Sequence, residues 1–439
     1  MLWKGALLMM DLPCPVRWAL DALTLAGHEA WLVGGCVRDA LMGMKPHDYD
    51  LATSASVEEM LAVFMGERVI ETGLKHGTVT VLKDGLPLEI TTYRSPEGGA
   101  LTLREDLLHR DLTINAIAYH PEKGIQDFFG GAEDLRAGVI RAVEDPDARF
   151  AEDPLRLLRA LRFASSFAFE IEARTQQAIF RQAYRLEEVS VERVAAEFIR
   201  LLMGRDVRRV LVEYIDVIGA FIPEALDMKH FDQRSKYHIY DVLEHTAVAV
   251  EHVPAEPVLR LAAFFHDIGK PASFFVGEDG AGHFYGHPAV SAKIANEVLT
   301  RLKVDSFTLR RVTMLVENHD RMIALTRVSV RKALSRLGPE AFDQLLLIKR
   351  ADNLAQAPEY LGRQQELDEV ERIRDEILEA GECFSQKDLA LNGHDLMALG
   401  VRRGPALGAM LAELLDMVIT GRLANTREAL EKFVRKKNG

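Results

Sequence analysis

Cysteine is scarce in this sequence of 439 residues. Its three cysteines, Cys14, Cys36 and Cys383, lie far apart and form neither a Cys-x-x-Cys pair nor the spacing of a disulfide framework. A disulfide-stabilised secreted domain and a zinc site made of paired cysteines are therefore not indicated, and a reducing, cytoplasmic location is expected.

Long apolar runs are also missing. No stretch reaches the roughly 20 apolar residues that a helix needs to cross a bilayer. The first ten residues contain one lysine and no Ala-x-Ala cleavage site. We therefore expect neither a membrane partner nor export. Internal repeats and low-complexity segments are absent too, and the 48% of apolar residues should fill the cores of two to four domains.

Positive charge is limited and unevenly distributed. The net charge of −12 argues against a protein coated in nucleic acid but permits a local basic groove. Lysine is absent between Lys123 and Lys229, whereas residues 136–209 contain fourteen arginines. Because the planar guanidinium suits phosphates and base edges, an RNA-facing helical surface is one explanation, and codon bias is the other.

The local patterns change along the chain. Residues 14–26 form an amphipathic helix pattern closed by a glycine, and β-rich segments follow at 31–33, 68–70, 78–82 and 88–93. From about residue 148 apolar residues recur at helical spacing and strand patterns largely disappear. The sequence therefore predicts a mixed α/β head followed by an all-α remainder.

Two aspartates, Asp48 and Asp50, follow Gly34 and Gly35 by about a dozen residues. In an extended segment residues i and i+2 project to the same side, so both carboxylates can hold divalent cations. A strand that ends in two glycines before a helix also offers backbone N–H groups to a triphosphate. These features indicate metal-dependent nucleotidyl transfer, and a tight turn followed by a solvated aspartate pair is the alternative.

Five motifs occur in a fixed order: residues 32–39 (LVGGCVRD), 48–50 (DYD), 110–116 (RDLTINA), 152–156 (EDPLR) and 159–163 (RALRF). Together they resemble the bacterial tRNA nucleotidyltransferase and poly(A) polymerase family. The similarity is strong over about residues 15–225 and weaker in the tail around 391–393.

The resemblance implies a role for each matching residue. Asp48 and Asp50 would hold Mg²⁺ while a ribose 3′-hydroxyl attacks the α-phosphate of CTP or ATP. Glu89, on a β-rich segment, is a candidate third catalytic carboxylate, and an exposed strand glutamate is the alternative. His109 departs from the family, in which many relatives have a second arginine. The implied nucleotide-binding residues are Gly34, Gly35, Arg38, Arg110, Asp111, Asn115, Asp153, Arg156, Arg159 and Arg162.

Asp153 and Arg156 have a specific implied role. Their spacing predicts that both side chains lie on one helical face. A carboxylate accepts a hydrogen bond from the amine of cytosine or adenine, and a guanidinium donates to the adjacent ring nitrogen, so the pair would select C and A without a template. An ordinary surface ion pair is the alternative.

A second metal site is indicated by residues 264–270 (FFHDIGK), which end an apolar helix pattern. His245 precedes this motif and Asp352 follows it, an order that resembles the HD phosphohydrolase superfamily. The resemblance implies that His245, His266, Asp267 and Asp352 bind Mg²⁺, Mn²⁺ or Ni²⁺ and hydrolyse phosphate esters. His287 and His319 could widen the site to a second ion, and buried structural histidines are the alternative.

The resemblance and the local patterns together predict four domains. A nucleotidyltransferase head at 1–135 is followed by a nucleotide-selecting, RNA-binding neck at 136–225. An HD phosphohydrolase domain at 226–357 precedes a tRNA-binding helical body and tail at 358–439.

The leading hypothesis is a tRNA nucleotidyltransferase with an appended phosphohydrolase. Its expected partners are tRNA, CTP and ATP. Poly(A) polymerase is a rival, although bacterial examples tend to carry a strongly basic C-terminal arm and only residues 432–437 are basic here. An HD-type nucleotide phosphohydrolase with a non-catalytic RNA-binding head is the third hypothesis, and the intact aspartates at 48 and 50 argue against it.

The number of added nucleotides is predicted from a short interval. Fifteen residues separate Arg94 from Arg110, and the Pro- and Gly-containing composition of residues 95–100 predicts a compact turn. In similar enzymes that complete the CCA end this interval is typically longer, so we expect addition of CC and a separate A-adding enzyme on the same tRNA. A compact loop that still switches the base site from C to A is the alternative.

Overall fold

The computed structural model describes residues 10–70, 73–74, 77–93, 102–278 and 280–438. The chain divides into two compact units. The first unit comprises residues 1–206 and 216–221, and the second comprises 207–215 and 222–439. The finer division into four domains stays a prediction.

The first unit is built on a seven-stranded mixed sheet. Its strands are β1 Ala30–Val33, β2 Tyr49–Thr53, β3 Arg68–Ile70, β4 Thr78–Lys83, β5 Leu86–Thr92, β6 Ala118–His120 and β7 Gly124–Gln126. Their order across the sheet is β3-β4-β5-β2-β1-β6-β7. Strands β2 and β5 are parallel and the other neighbours are antiparallel. The predicted mixed α/β head is confirmed.

The central strands are covered on both faces. Leu32 and Leu51 belong to one hydrophobic core, whereas Trp31, Val33 and Ala52 belong to the core on the opposite face. Successive side chains of a strand point to opposite faces, so a strand between two cores needs apolar residues on both faces, as in β1 and at Leu51 and Ala52 of β2. This packing fixes the ends of β1 and β2, where the predicted glycines and aspartates lie.

Helices surround the sheet and continue beyond it in the first unit. They are α1 Cys14–Leu25, α2 Gly35–Leu41, α3 Val57–Val63, α4 Leu103–Leu108, α5 Gly131–Ala137, α6 Pro146–Glu152, α7 Leu155–Phe167, α8 Ala173–Gln182 and α9 Val191–Leu202. A short parallel pair, β8 Val139–Ile140 and β9 Glu170–Ile171, accompanies two 3₁₀ helices at Thr113–Asn115 and Ala183–Glu188.

The second unit is almost entirely helical in its described part. Helix α10, Val207–Glu213, belongs to it, and α11, Ile215–Ile218, follows in the chain. Its other helices are α12 Val242–His252, α13 Pro257–Phe265, α14 Lys270–Ser273, α15 His287–Arg301, α16 Ser306–Asn318, α17 Arg327–Leu337, α18 Pro339–Leu354, α19 Arg363–Glu379, α20 Gly393–Ala398, α21 Pro405–Ile419 and α22 Arg427–Asn438. Strands β10 Phe275–Val276 and β11 Gly282–His283 form a hairpin. Three 3₁₀ helices lie at Pro223–Met228, Pro358–Tyr360 and Gln386–Asp388.

The helical remainder predicted from the sequence is confirmed. Apolar side chains at helical spacing fill separate cores, one around α17, α18 and α19 and another around α20, α21 and α22. None of the helices described combines the length and the apolar character that crossing a bilayer requires.

Candidate active site and metal centre

The two aspartates of the first unit lie at the start of β2. Asp50 is in the strand and Asp48 comes just before it, with the buried Tyr49 between them. Strand β5 runs parallel to β2 and places Glu89 directly opposite Asp50. Paired residues of neighbouring strands project to the same face, so Glu89 accompanies the aspartates. Carboxylate oxygens are donors of the kind Mg²⁺ prefers, so the chemistry of Asp48 and Asp50 fits the ion.

Gly34 lies at the junction between β1 and α2. Its φ of 74° falls in a region that other residues rarely adopt. A Cβ atom at this position would lie 2.8 Å from Arg110 Nη1 and 3.8 Å from Asp50 Oδ2. The predicted strand, glycine turn and helix are thus present, and only a glycine allows the arginine to approach this closely.

A pocket of about 520 Å³ opens beside these residues. Every predicted residue of the transferase site except Glu89 lines it, and His109, Phe163 and Arg193 line it as well. The motifs from five parts of the sequence therefore meet at one place in the first unit.

Asp111 and Arg159 form a charged pair at this pocket. Arg159 Nε donates to Asp111 Oδ2 at 2.7 Å, and Asn115 Nδ2 donates to Asp111 Oδ1 at 3.0 Å. Burial by itself raises the pKa of Asp111, but the charge of Arg159 and these hydrogen bonds outweigh burial and lower the pKa to about 2. Asp111 therefore stays ionised and holds the guanidinium in place.

Arg38 is fixed by a polar and an aromatic contact. Its Nη1 donates to Asn115 Oδ1 at 2.7 Å, and its guanidinium carbon lies 4.9 Å from the centre of the Phe163 ring. The guanidinium of Arg162 contacts the same ring at 3.8 Å. Cation–π contacts of this kind help to hold two arginines beside the pocket, and Arg38 Nη2 also lies 2.6 Å from Asp39 Oδ1.

The structure corrects the predicted arrangement of Asp153 and Arg156. Asp153 does not share a helical face with Arg156, because its backbone is extended (φ −149°) between α6 and α7. Its Oδ2 accepts a hydrogen bond from Arg193 Nη2 at 2.7 Å, whereas Arg156 Nη1 donates to Glu152 Oε2 at 2.7 Å and Arg156 Nη2 donates to the His109 carbonyl at 2.8 Å. The alternative of a surface ion pair between Asp153 and Arg156 is wrong as well, because each is paired with another residue. Both residues nevertheless line the pocket.

Glu197 is a buried acid that the sequence analysis missed. It lies on α9 with 4% of its surface exposed, and its Oε2 is 2.6 Å from Arg162 Nε. Its Oε1 lies 3.9 Å from Arg159 Nη1. The sequence did contain a sign of this buried acid, because Glu197 is a charged residue at a position on the apolar face of α9 that includes Val194 and Leu201.

A second cluster lies within the second unit. His245 is on α12, His266 and Asp267 follow α13, and Asp352 is on α18. His245 Nε2 is 3.0 Å from Asp352 Oδ1 and 3.3 Å from Asp267 Oδ2, and His266 Nε2 is 3.2 Å from Asp267 Oδ2. One ligand atom from each of the four residues lies within 4.8 Å of the others.

Asp267 also belongs to a group with His287 and His319. Its other oxygen, Oδ1, lies 3.2 Å from His287 Nε2 and 3.5 Å from His319 Nε2. This group meets the same 4.8 Å limit. Asp267 thus faces both groups, one with each oxygen.

The histidine tautomers favour metal binding. In each of the four rings Nδ1 lies within hydrogen-bond distance of a backbone carbonyl, which can only accept. Nδ1 must therefore carry the proton, and Nε2 faces the cluster. The Nε2 atoms of His245 and His266 lie 3.3 Å apart, and those of His287 and His319 lie 3.2 Å apart. The four Nδ1 contacts are His245 to Ala355 at 3.2 Å, His266 to Ala263 at 2.7 Å, His287 to Phe284 at 2.9 Å and His319 to Val316 at 2.7 Å.

The donor set suits divalent ions. Burial lowers the pKa of His245, but hydrogen bonds with Asp267 and Asp352 outweigh burial and raise the pKa to about 9. A cation, either a proton or a metal ion, is thus strongly favoured at its Nε2. Imidazole and carboxylate ligands together fit Mn²⁺ or Ni²⁺ as well as Mg²⁺.

Comparisons with known proteins agree with the transferase motifs of the first unit. Residues 30–141 match a family model described as "Poly A polymerase head domain", and residues 168–216 match "Probable RNA and SrmB- binding site of polymerase A". Residues 289–434 match a model for tRNA nucleotidyltransferase domain 2. A CCA-adding enzyme of Latilactobacillus sakei is 33% identical over 94% of this chain and 95% of its own length. The chain belongs to the CCA-adding enzyme family.

Other CCA-adding enzymes also match this chain over almost its whole length. The CCA-adding enzyme of Lacticaseibacillus paracasei is 33% identical over 94% of this chain and 93% of its own length. The crystal structure of the Bacillus stearothermophilus CCA-adding enzyme in complex with CTP is 26% identical and covers 97% of this chain and 98% of that one, with a TM-score of 0.73. The resemblance to the nucleotidyltransferase family is thus confirmed.

Proposed function

We propose that this protein is a template-independent tRNA nucleotidyltransferase that transfers CMP and AMP from CTP and ATP to the tRNA 3′ end. The observation that carries the proposal is the arginine-lined pocket beside Asp48 and Asp50, in a chain that spans almost the whole length of CCA-adding enzymes. Poly(A) addition is less well supported, because the relatives of full length are named CCA-adding enzymes.

In this proposal the two aspartates, with Glu89 beside Asp50, hold Mg²⁺. When bound, the ion supplies charge neutralisation at the α-phosphate and lowers the pKa of the attacking 3′-hydroxyl. The guanidinium groups of the pocket bind the triphosphate and position it for in-line attack. Asp111 and Glu197 keep Arg159 and Arg162 oriented toward the pocket.

Base selection falls to Asp153 and Arg156. Because Arg193 holds one oxygen of Asp153 and Glu152 holds Arg156, both side chains are positioned before a base enters. We propose that they accept from the amine and donate to the ring nitrogen of C or A. The neck at 136–225 then selects the nucleotide, and the helical body and tail at 358–439 hold tRNA.

The enzyme could add either two nucleotides, CC, or all three nucleotides of the CCA end. The short interval between Arg94 and Arg110 predicts CC, but residues 94–101 lie outside the described residues. The relatives are named for the complete CCA end, and this supports addition of all three nucleotides. A CC product would require a separate A-adding enzyme.

One assay tests the transferase proposal and both candidates. The protein is incubated with tRNA that lacks its CCA end, Mg²⁺ and labelled CTP or ATP, singly and together. We expect two cytidines with CTP alone and one further adenosine with both. A product that ends at CC when ATP is present would establish the shorter reaction, and long adenosine tracts would indicate poly(A) synthesis. Asp48→Ala, the matched control, should give no product. Nucleotide addition by this variant would contradict the proposed catalytic role of Asp48.

We also propose a metal-dependent phosphohydrolase in the second unit, at residues 226–357. The supporting observation is the pair of ligand groups that share Asp267, with four histidine Nε2 atoms converging on them. Purified protein stripped with chelator should bind Mn²⁺ or Ni²⁺ in calorimetry and then hydrolyse a simple phosphodiester. His266→Ala should lose both properties, whereas unchanged binding would assign the histidines a purely structural role.

A further inference from the structure

A pocket of about 650 Å³ adjoins the metal centre of the second unit. The candidate ligands Asp267, His287, His319 and Asp352 line one part of it. Strand β11 and the residues on either side of it line another part. Pockets of this size hold nucleotide-sized ligands.

The hairpin and the residues after it carry a triangular cluster of three aromatic rings, in which the ring centres of Phe275 and Tyr285 lie 5.5 Å apart. The centre of the His283 ring lies 5.2 Å from that of Phe275 and 5.4 Å from that of Tyr285, with interplanar angles of 25° and 20°. Tyr285 is 76% exposed and lines the pocket together with His283. A large exposed aromatic ring that lines a pocket can stack on another planar group.

Positive side chains share the pocket with His283 and Tyr285. Lys236 and Arg363 line it, and the guanidinium of Arg363 forms no hydrogen bond or ion pair with any residue in the described part of the chain. Arg363 also lines a second cavity next to His319 and Asp352. A guanidinium beside candidate metal ligands suits a phosphate group.

We propose that Phe275, His283 and Tyr285 form a base-stacking platform and that the phosphate ester brought to the metal centre carries an unpaired nucleobase. The inference rests on the proposed phosphohydrolase, because the same pocket contains the metal ligands. Stacking on aromatic side chains accepts any base, and the cationic rim holds the phosphate. A free nucleotide and the end of a single-stranded RNA share this chemistry.

Binding to the full-length protein tests the platform. The probes are adenosine monophosphate and a phosphorothioate-linked adenosine trinucleotide, with ribose 5-phosphate as the base-free comparison. All affinities are measured in a background that carries Asp153→Ala and Arg156→Ala, which removes the proposed base contacts of the nucleotide pocket in the first unit. We expect Tyr285→Ala to raise the Kd of both adenosine probes at least about tenfold, since one stacked base contributes on this order. Tyr285→Phe should bind like the wild type because the ring remains.

Phe307→Ala is the matched control. Phe307 is also an exposed aromatic residue of the second unit, 55% exposed on α16, but it does not line the pocket. This variant should bind both probes normally, and photolabelling with 8-azidoadenosine monophosphate should mark the 275–285 segment in it. Thermal unfolding establishes that each variant is folded.

The outcomes separate the platform from the phosphohydrolase. Equal affinity of Tyr285→Ala and the wild type, or ribose 5-phosphate binding as tightly as adenosine monophosphate, would overturn the platform even if a base-free diester is hydrolysed. Loss of nucleotide binding in Tyr285→Ala without hydrolysis of any ester would support the platform and refute the phosphohydrolase. Tighter binding of the trinucleotide identifies an RNA end, and equal binding identifies a free nucleotide.

Discussion

At the scale of single residues, Gly34 is required for two reasons: its backbone has a positive φ, and Arg110 lies too close to leave room for a side chain. Gly34→Ala would place a side chain at φ 74° and 2.8 Å from Arg110 Nη1. We expect a stability loss of about 1–3 kcal/mol from the backbone strain. CMP addition should fall roughly a hundredfold, since Arg110 and the β1–α2 turn are displaced. Thermal unfolding and single-turnover incorporation measure the two effects.

Gly35→Ala is the comparison for that change. Its added Cβ would meet only Arg38 Nη2 at 3.6 Å, an ordinary van der Waals distance. Its activity should fall much less, and equal losses in the two variants would contradict the steric explanation.

Asp111 predicts a pH dependence of stability. Its pKa is about 2 in the folded chain against an ordinary value of 3.8, because the charge of Arg159 and hydrogen bonds outweigh the opposing effect of burial. The unfolded chain therefore binds more protons between these values. The stabilisation, about 2 kcal/mol, is fully present above pH ~4 and disappears as the pH falls toward 2.

Asp111→Asn removes this titration. Urea unfolding should show the variant less stable than the wild type at pH 7, with the difference shrinking as the pH falls from 4 toward 2. A difference that is independent of pH would mean that the carboxylate is not held ionised by its partners.

At the scale of secondary structure, Gly269 sets how closely α15 approaches the metal centre. Its N–H donates to Ser291 Oγ at 2.9 Å, and an added Cβ would lie 2.6 Å from the Ser291 backbone nitrogen. Gly269→Ala must displace α15, which begins at His287. We expect a loss of about 1–3 kcal/mol from overpacking and weaker Mn²⁺ binding, measured by urea unfolding and calorimetry.

Gly408→Ala provides the control for Gly269. Gly408 lies within α21, and an added Cβ would meet open space. Alanine is favoured over glycine inside a helix by up to about 1 kcal/mol, so this variant should be as stable as the wild type or more stable. Normal Mn²⁺ binding by Gly269→Ala would show that α15 tolerates the displacement.

At the scale of the whole molecule, the two candidate sites belong to different units. The transferase pocket is lined only by residues of the first unit and the metal groups only by residues of the second. His266→Ala combined with Asp267→Ala should therefore abolish phosphohydrolysis while tRNA addition stays within about twofold of the wild type, as expected for sites that share no residues.

The reciprocal variant completes this test. Asp48→Ala should lose nucleotide addition and retain Mn²⁺ binding in the second unit. Loss of addition in a folded double variant would show that the two sites are coupled, and the assumption of independent units would then be wrong.

Much of the fold was predictable because its signals are local. Strand β1 lies where an apolar run ends in glycine, and α1 ends one residue before its predicted limit. The alternation of strand residues placed Asp48 and Asp50 on one side without any tertiary information. The order of motifs likewise predicted which residues would line the transferase pocket.

The sequence by itself determined the elements, the glycine turn and the identity of the donor atoms, because each depends on residues that are neighbours in the chain. Only the tertiary structure decided which charged groups pair. Asp153 binds Arg193, 40 residues away, rather than Arg156, and Asp267 turns one oxygen toward each ligand group. Such pairings depend on how α7 packs on α9 and how the helices of the second unit converge, and spacing within a segment carries no information about that packing.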